Sequence, residues 1–343
     1  MDKKQLKIAF LNISQGQIER GSEVFVTELA KRLGKNHKVE ILFGDELPGW
    51  RTPLLWRFFL DFHSISILLF TLKQIPKLLF NRYDIVIPLN GGWQSMIVRT
   101  ITWLYRGKMI ISGQSGFGWD DRINLWCLPD VFVTLSKKGI RWSKMTNPLI
   151  RVEHIPNGVD ISQFQPGKSR LEFKLAQPII LCVSALEKTK RIGLTIKAVS
   201  KLKKGSLLVV GKGSEKVILT SLGKEMLGSR FHLTSFSHEK MPEVYRAADV
   251  FTLSSHKSEA FGIVYVEALA SGLPVVGTND ELREEIIGDA GILVDPTDTD
   301  AYAIALQKAL DTNWGNKPRN QAQKFSWDKI ARQYEELFVE LTQ

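Results

Sequence analysis

The chain has 343 residues, 44% of them hydrophobic and 24% charged, a composition that excludes a disordered chain and a length suited to two domains of ordinary size. Its two cysteines, Cys127 and Cys182, are too few for a disulfide framework or a zinc cluster, and their apolar neighbours predict buried thiols in a reducing compartment. The formal net charge is +10, but the lysines and arginines are scattered and no nucleic-acid motif accompanies them, so charge selects no partner and nucleic acid is not expected.

In chain order, the run Leu6–Leu11 is too short for a signal-peptide core and no small-residue cleavage site follows, which predicts a cytoplasmic protein. Leu6–Asn12 reads as a strand. Glu23–Leu33 reads as a helix with Phe25, Val26, Leu29, Ala30 and Leu33 on one face, Ser22 as its N-cap and Gly34 beyond its end. Val39–Phe43 is a second strand. Arg51–Arg82 is apolar but interrupted by Arg57, Asp61, His63, Lys73 and Lys77, short of the roughly 20-residue run of a membrane span. It reads as one or two amphipathic core helices, with a lipid-touching surface as the alternative.

Further strands are expected at Ile85–Pro88, Met109–Ser112 and Val131–Leu135. In the second half they fall at Ile179–Ala185, Ser206–Gly211, Phe231–Ser235, Val250–Leu253, Pro274–Gly277 and Ile292–Val294, with a last helix over Ser326–Leu341. Gln165-Pro-Gly-Lys-Ser169 is the linker candidate. Strands alternating with helices predict an α/β protein: two doubly wound, Rossmann-like domains facing across a cleft, with ligands at the carboxyl ends of the strands. The expected bounds are 1–165, 170–325 and a C-terminal helix over 326–343.

Between Ser254 and Pro274 a strand ends, a loop follows, and a helix begins near Phe261 or Gly262, closing at Gly272 and Pro274. The amides of its first turn, Phe261 to Val264, suit phosphate or polarised hydroxyls, and Gly262 permits close approach of a ligand to the backbone. Glu259 and Glu267 are eight residues apart, a rotation of about 80° on a continuous helix, so they would not share a face. With Glu259 in the loop and Glu267 two turns inward they would bracket an extended ligand, each carboxylate accepting from a pair of vicinal hydroxyls. On spacing alone, a helix-terminal glutamate together with an unrelated surface glutamate explains the pair as well as a ligand bracket does.

Glu259-Ala-Phe-Gly-Ile-Val-Tyr-Val-Glu267 resembles the glutamate-x7-glutamate motif of retaining glycosyltransferases of the GT-B fold, family four (group 1). Ile155-Pro-Asn-Gly-Val-Asp160, Ala247-Ala-Asp249-Val, Ala270-Ser-Gly-Leu-Pro274 and Ala290-Gly-Ile-Leu-Val294 extend the resemblance over most of the chain. It implies transfer of a sugar, with retention, from a nucleoside-diphosphate sugar to an unidentified acceptor, with no metal and no resident cofactor. It also implies a C-terminal helix that crosses back to the N-terminal domain.

By the same resemblance, Glu259 contacts the donor sugar hydroxyls, and Phe261, Gly262 and Ile263 offer backbone amides. Glu267 holds the ribose. The family's basic pair falls on Ala185, where its arginine is missing, and on Lys190, with Arg191 as a substitute second charge; departing diphosphate requires such a fixed cation. Gly211-Lys-Gly213 resembles the turn near the base, which a tight strand–helix turn explains as well. Gly16 and Arg20-Gly21-Ser22 resemble the glycine loop, so Gly21 is assigned to the donor phosphates. The family's N-domain histidine is replaced by Gln114, and Gln114 and Asp120 are the acceptor-side candidates, with loop capping the alternative for Asp120 and Asp121.

Asp298-Thr-Asp300 looks like a metal triplet of a different glycosyltransferase fold but begins a helix, where aspartate caps amides. Basic charge and the aromatic-rich Leu54–Phe80 stretch point to a lipid-linked or membrane-surface acceptor and to peripheral attachment at the cytoplasmic face. A GT-B epimerase or phosphorylase and a catalytically silent sugar-nucleotide-binding protein are the alternative functions. Neither half has a Gly-x-Gly-x-x-Gly turn after its first strand, which argues against a nicotinamide-dependent dehydrogenase.

Overall fold

Each neighbouring pair of strands runs parallel, as regular alternation of strand and helix requires. The computed structural model describes residues 5–17, 21–44, 51–52, 54–256 and 259–343. Arg20 of the glycine loop, and Lys257 and Ser258 of the motif stretch, lie outside the described residues.

The first elements are β1 (Lys7–Leu11), α1 (Gly21–Leu33), β2 (Lys38–Leu42), α2 (Phe62–Asn81), β3 (Ile85–Pro88), α3 (Trp93–Tyr105), β4 (Lys108–Ser112), α4 (Trp119–Trp126), β5 (Val131–Thr134), α5 (Lys137–Thr146) and β6 (Val152–His154). There follow β7 (Ile179–Val183), α6 (Ile192–Ser200), β8 (Ser206–Val210), α7 (Lys216–Leu227), β9 (Phe231–Thr234), α8 (Met241–Tyr245), β10 (Val250–Leu253) and α9 (Ile263–Ala270). The chain ends with β11 (Val275–Thr278), α10 (Glu281–Ile287), β12 (Gly291–Val294), α11 (Thr299–Asp311), α12 (Lys317–Ala322) and α13 (Trp327–Thr342). Ser22 lies inside α1 rather than at its N-cap, and its hydroxyl donates to the Glu23 carboxylate at 2.9 Å.

Two units result: Met1–Asn157 with Trp327–Gln343, and Gly158–Ser326. The division falls before the turn-rich Gln165–Ser169 stretch, for a reason visible in its carbonyls. Arg319 donates to Ile161 and Phe164, Arg246 donates to Gln165 and Ser169, and the Val159 amide reaches Phe325 at 2.8 Å. Backbone acceptors captured in this way make residues 158–169 part of the second unit.

In the first unit the sheet order is β2-β1-β3-β4-β5-β6. Alternate strand residues serve opposite faces. Ile8, Phe10, Ile85 and Ile87 pack with α1 and α13, whereas Ala9, Leu11, Val86 and Ile111 pack with α2 and α3. Helix α13 is fastened by aromatic contacts: Phe25 lies 5.7 Å from Tyr334 and 6.2 Å from Trp327, centroid to centroid. Such pairs add about 0.5–1.5 kcal/mol each beyond their buried area.

The amphipathic core helix expected within Arg51–Arg82 is α2, whose Ile67, Phe70 and Leu78 join the core. Leu55–Asn81 is long and apolar enough to cross a membrane by length and composition, yet only 28% of its most apolar window is buried. The reason is a second apolar stripe: Phe62, Ile65, Leu69 and Leu72 recur at helical spacing and are exposed, while Ile67, Phe70 and Leu78 face the core. Cys127 is also half-buried rather than buried, at the end of α4; Cys182 is buried in β7.

The second unit has the order β12-β11-β10-β7-β8-β9. Strand order reverses between β7 and β10, as it does between β1 and β3 in the first unit. In doubly wound sheets the crevice beyond the carboxyl ends at such a switch point is where ligands bind.

Candidate active site

Lys190 and Arg191 follow β7, and Glu259 with Phe261–Ile263 follows β10, so the switch point of the second unit brings them together. The Lys190 ammonium pairs directly with the Glu259 carboxylate, with 19% and 16% of the two side chains exposed. The pair is therefore half-sheltered but open to a ligand. Gly262 caps α9 at φ 83°, where a side chain is strained, and an added Cβ would stand 2.7 Å from the Tyr265 ring. The helix begins at Ile263, one or two residues later than the sequence reading placed it. Its N-terminal amides and partial positive charge lie beside the pair.

Glu267 lies further along α9 and is 5% exposed. It accepts from the Tyr245 hydroxyl at 2.7 Å. Burial, the dominant cause, raises its pKa; nearby His238 and the Tyr245 bond pull downward without cancelling the effect. A carboxylate held in this way gains from hydroxyl donors that reach it.

Arg191 has a different place from the one expected. It adopts a left-handed conformation at φ 50°, which costs a non-glycine residue about 1–3 kcal/mol. Its guanidinium donates to the carbonyls of Ser254 at 2.8 Å and Ser255 at 3.1 Å, while the Ser254 hydroxyl donates back to the Arg191 carbonyl at 2.9 Å. Arg191 thus fixes the loop that carries Glu259.

Arg283, which sequence reasoning missed, holds the same loop from α10. Fully buried, it donates to Ser255 Oγ at 2.6 Å and to the His256 carbonyl at 3.1 Å, and it pairs with Asp280 at 2.6 Å. Its guanidinium lies 5.8 Å from the centroid of the Tyr265 ring. The signal in the sequence was Asp280-x-x-Arg283 at a helix start, where the aspartate caps the backbone and the arginine points inward. Tyr245, too, was not singled out.

Gly211 and Gly213 follow β8, next to β7. A Cβ at Gly211 would come within 1.9 Å of the Ser184 carbonyl oxygen, and one at Gly213 within 2.5 Å of that of Leu186. Close backbone packing therefore accounts for both glycines. Gly21 opens α1 in the first unit. Gln114 exchanges two amide hydrogen bonds with Asn157, at 2.9 and 3.1 Å, and donates to Ser112 Oγ at 2.9 Å. Asp120 pairs with Arg51 at 3.1 Å. Neighbouring Asp121 is 3% exposed and burial pushes it up to about 8, with only the Asn124 amide, at 3.3 Å, and nearby Asp120 acting beside burial.

Asp298 caps α11, accepting from the amides of Asp300 at 3.0 Å and Ala301 at 2.9 Å. Among the described residues no group of three or more His, Cys, Asp or Glu side chains is gathered that would hold a metal ion.

Two Rossmann-like units, each built on a parallel sheet and one with a carboxylate–ammonium pair at its switch point, define an α/β protein of the GT-B fold. Residues 165–326 of the chain match the family described as glycosyl transferases group 1. It is 30% identical over 178 residues to a GDP-mannose-dependent monoacylated alpha-(1-6)-phosphatidylinositol monomannoside mannosyltransferase of Corynebacterium glutamicum, covering 46% of this chain and 47% of that one. It is 32% identical over 225 residues to a D-inositol 3-phosphate glycosyltransferase of Corynebacterium jeikeium, covering 57% and 53%. The chain spans about half the length of the curated relatives it matches. Among solved structures, sucrose-phosphate synthase from Thermosynechococcus elongatus is similar in fold, with a TM-score of 0.80, 21% identity and coverage of 98% and 99%. HepE of Anabaena, in complex with UDP and glucose, gives 0.74, 18%, 98% and 100%.

Proposed function

We propose that the protein is a retaining glycosyltransferase that moves a sugar from a nucleoside-diphosphate sugar to a lipid-linked acceptor at a membrane surface, without a metal. The observation that carries the reading is the Lys190–Glu259 pair beside the α9 N-terminus, with Glu267 buried further along the same helix. In this reading Glu259 accepts from donor sugar hydroxyls, and Lys190 shifts from Glu259 toward the diphosphate as negative charge grows there. Amides of Phe261, Gly262 and Ile263 meet the donor, and Glu267 accepts from the ribose. Arg191, with its guanidinium on the Ser254 and Ser255 carbonyls, keeps the loop in place. The bond from the anomeric carbon to the phosphate oxygen breaks as the acceptor oxygen bonds to the same face. The acceptor proton passes to the departing phosphate, so no protein base is needed and Gln114 is compatible with the reaction.

The membrane part rests on two distributions. Residues 51–150 contain thirteen lysines and arginines against five aspartates and no glutamate, which is +8 of the chain's +10. Among the described residues, nineteen of the twenty-four exposed large hydrophobic side chains fall in the same stretch. The exposed stripe of α2, with exposed Trp103 and Leu104 on α3 and exposed Lys73, Arg82 and Arg106 in the same stretch of chain, suits a surface lying at an anionic bilayer. Two relatives are named for action on phosphatidylinositol mannosides, which supports a lipid acceptor.

The test is a thermal-shift screen across nucleotide sugars, followed by mass analysis of products formed with membrane lipid extracts. A donor at 100 times its dissociation constant adds about 2.7 kcal/mol. Stabilisation by one donor and a glycosylated lipid product support the assignment; donor isomerisation, or binding without transfer, refutes it.

A further inference from the structure

Arg283 occupies a place that stability alone does not explain. Its side chain is completely buried and pairs with Asp280 at 2.6 Å, and its Nε proton finds no acceptor among the described residues. Desolvating an ion pair offsets much of its attraction, and an unmatched buried donor adds to the cost. An apolar side chain of similar volume would avoid both.

The contacts of the guanidinium converge on the segment that presents Glu259. Nη2 donates to Ser255 Oγ at 2.6 Å and to the His256 carbonyl at 3.1 Å. That carbonyl also accepts from the Glu259 amide, at 3.2 Å, so one oxygen joins Arg283 to the Glu259 backbone. The His256 amide in turn donates to the Thr189 carbonyl at 2.9 Å, next to Lys190 in the chain. The far end of the segment meets the same side chain. The guanidinium lies 5.8 Å from the centre of the Tyr265 ring, the ring that an added Cβ at Gly262 would strike. The Tyr265 hydroxyl donates to the Leu253 carbonyl at 3.1 Å. Arg283 therefore touches both ends of the connection from β10 to α9, with Glu259 between them. Asp280 fixes its direction: one carboxylate oxygen accepts from the Arg283 amide at 3.0 Å and the other from Nη1 at 2.6 Å. A planar fork of donors reaches Asp280 and the loop at once, which the point charge of a lysine does not.

We propose that Arg283 is a positioning residue for the donor end of the site. It holds the His256 carbonyl, and through it the Glu259 backbone, where the Glu259 carboxylate meets Lys190. The proposal deepens the glycosyl-transfer reading and rests on it for the chemistry that Glu259 performs. Being fully buried, Arg283 acts through the loop and not on the donor.

The test is Arg283→Met combined with Asp280→Asn in the full chain, which orphans no buried charge and keeps a capping side chain at the start of α10. Amide hydrogen exchange, followed by mass spectrometry, is expected to quicken about tenfold in peptides that contain Glu259 and to stay unchanged in those from β1 and α13. Turnover at saturating donor is expected to fall about 10²-fold, as a shift of about 1 Å in a reacting group causes. Affinity for the nucleoside diphosphate, which lacks the sugar that Glu259 meets, is expected to stay the same. In a Glu259→Gln background the same two substitutions should lower the residual turnover no further, because groups that act as a unit are not additive. If the combined variant does not fold, Ser255→Ala, which removes one acceptor of Nη2, is measured in the same way, with a loss of about tenfold expected.

Unchanged exchange at Glu259, an equal loss in the Glu259→Gln background, or nucleoside diphosphate affinity and turnover falling by one factor overturns the proposal. If the parent protein consumes no nucleotide sugar, the glycosyl-transfer reading fails, and the exchange data by themselves still decide whether Arg283 holds the Glu259 loop.

Discussion

Lys190 and Glu259 are 69 residues apart in sequence and form an ion pair across the carboxyl ends of the adjacent strands β7 and β10. With 19% and 16% of the side chains exposed the pair is mostly sheltered, and removing one partner leaves the other charge poorly compensated. Lys190→Ala and Glu259→Gln should therefore melt somewhat below the parent while staying folded. Each should lower donor turnover by about 10²–10³-fold, as for loss of one group that stabilises developing charge. The double variant should be little worse than the poorer single one, because the two act on one donor. Steady-state kinetics beside melting curves decide the matter; full activity in either single variant would remove the pair from the mechanism.

Glu267 has the opposite balance. Its folded-state pKa is raised by burial, so the folded protein holds a proton that the unfolded chain releases, and stability falls as pH rises through that window. Glu267→Gln removes this penalty and keeps an acceptor for the Tyr245 hydroxyl. The variant should melt at or above the parent temperature at pH 7 yet bind nucleotide sugars at least about tenfold more weakly, the worth of one hydrogen bond to a charged group. Equal donor affinity would assign Glu267 to structure alone.

Asp121 gives a pH signature in the first unit. Its ordinary value is 3.8 and burial pushes it up to about 8, so stability declines across that interval, by at most about 1.4 kcal/mol per pH unit. Asp121→Asn should flatten the dependence of Tm on pH between those values and melt above the parent at pH 9. Parallel curves for the two proteins would show that Asp121 is charged throughout.

Gly211 is constrained by backbone rather than by a ligand, with the Ser184 carbonyl 1.9 Å from an added Cβ. Gly211→Ala should cost about 1–3 kcal/mol, as overpacking does. Urea unfolding measures it. A variant of normal stability with impaired donor binding would return this turn to the nucleotide.

On α2, Leu69 and Phe80 are exposed. Leu69→Asp with Phe80→Asp should leave Tm unchanged and abolish co-sedimentation with vesicles containing anionic lipid, and parent binding should weaken with salt. Retention of the double variant on vesicles would place the membrane surface elsewhere.

Much of this was readable from residue pattern. Leu6–Asn12, Val250–Leu253 and the helix at Ser326–Leu341 correspond to β1, β10 and α13 within one or two residues, because apolar periodicity and turn residues are local signals. The short edge strand β6, Val152–His154, was not, since three half-buried residues carry no period. For Arg51–Arg82 periodicity predicted the amphipathic helix α2 but not that its second apolar face stays uncovered, because a pattern does not show what covers a face.

Within the candidate site, the sequence by itself determined the motif from Glu259 to Glu267, the lysine at 190 and the glycine that starts α9. These depend on spacing and backbone conformation, which a single segment contains. Only the tertiary structure decided the partners. Sheet order placed Lys190 against Glu259, turned Arg191 onto the Ser254 and Ser255 carbonyls, brought buried Arg283 to the same loop, and buried Glu267 against Tyr245. Strand pairing brings together residues distant along the chain, and burial sets their charge, so neither is encoded in any one stretch of sequence.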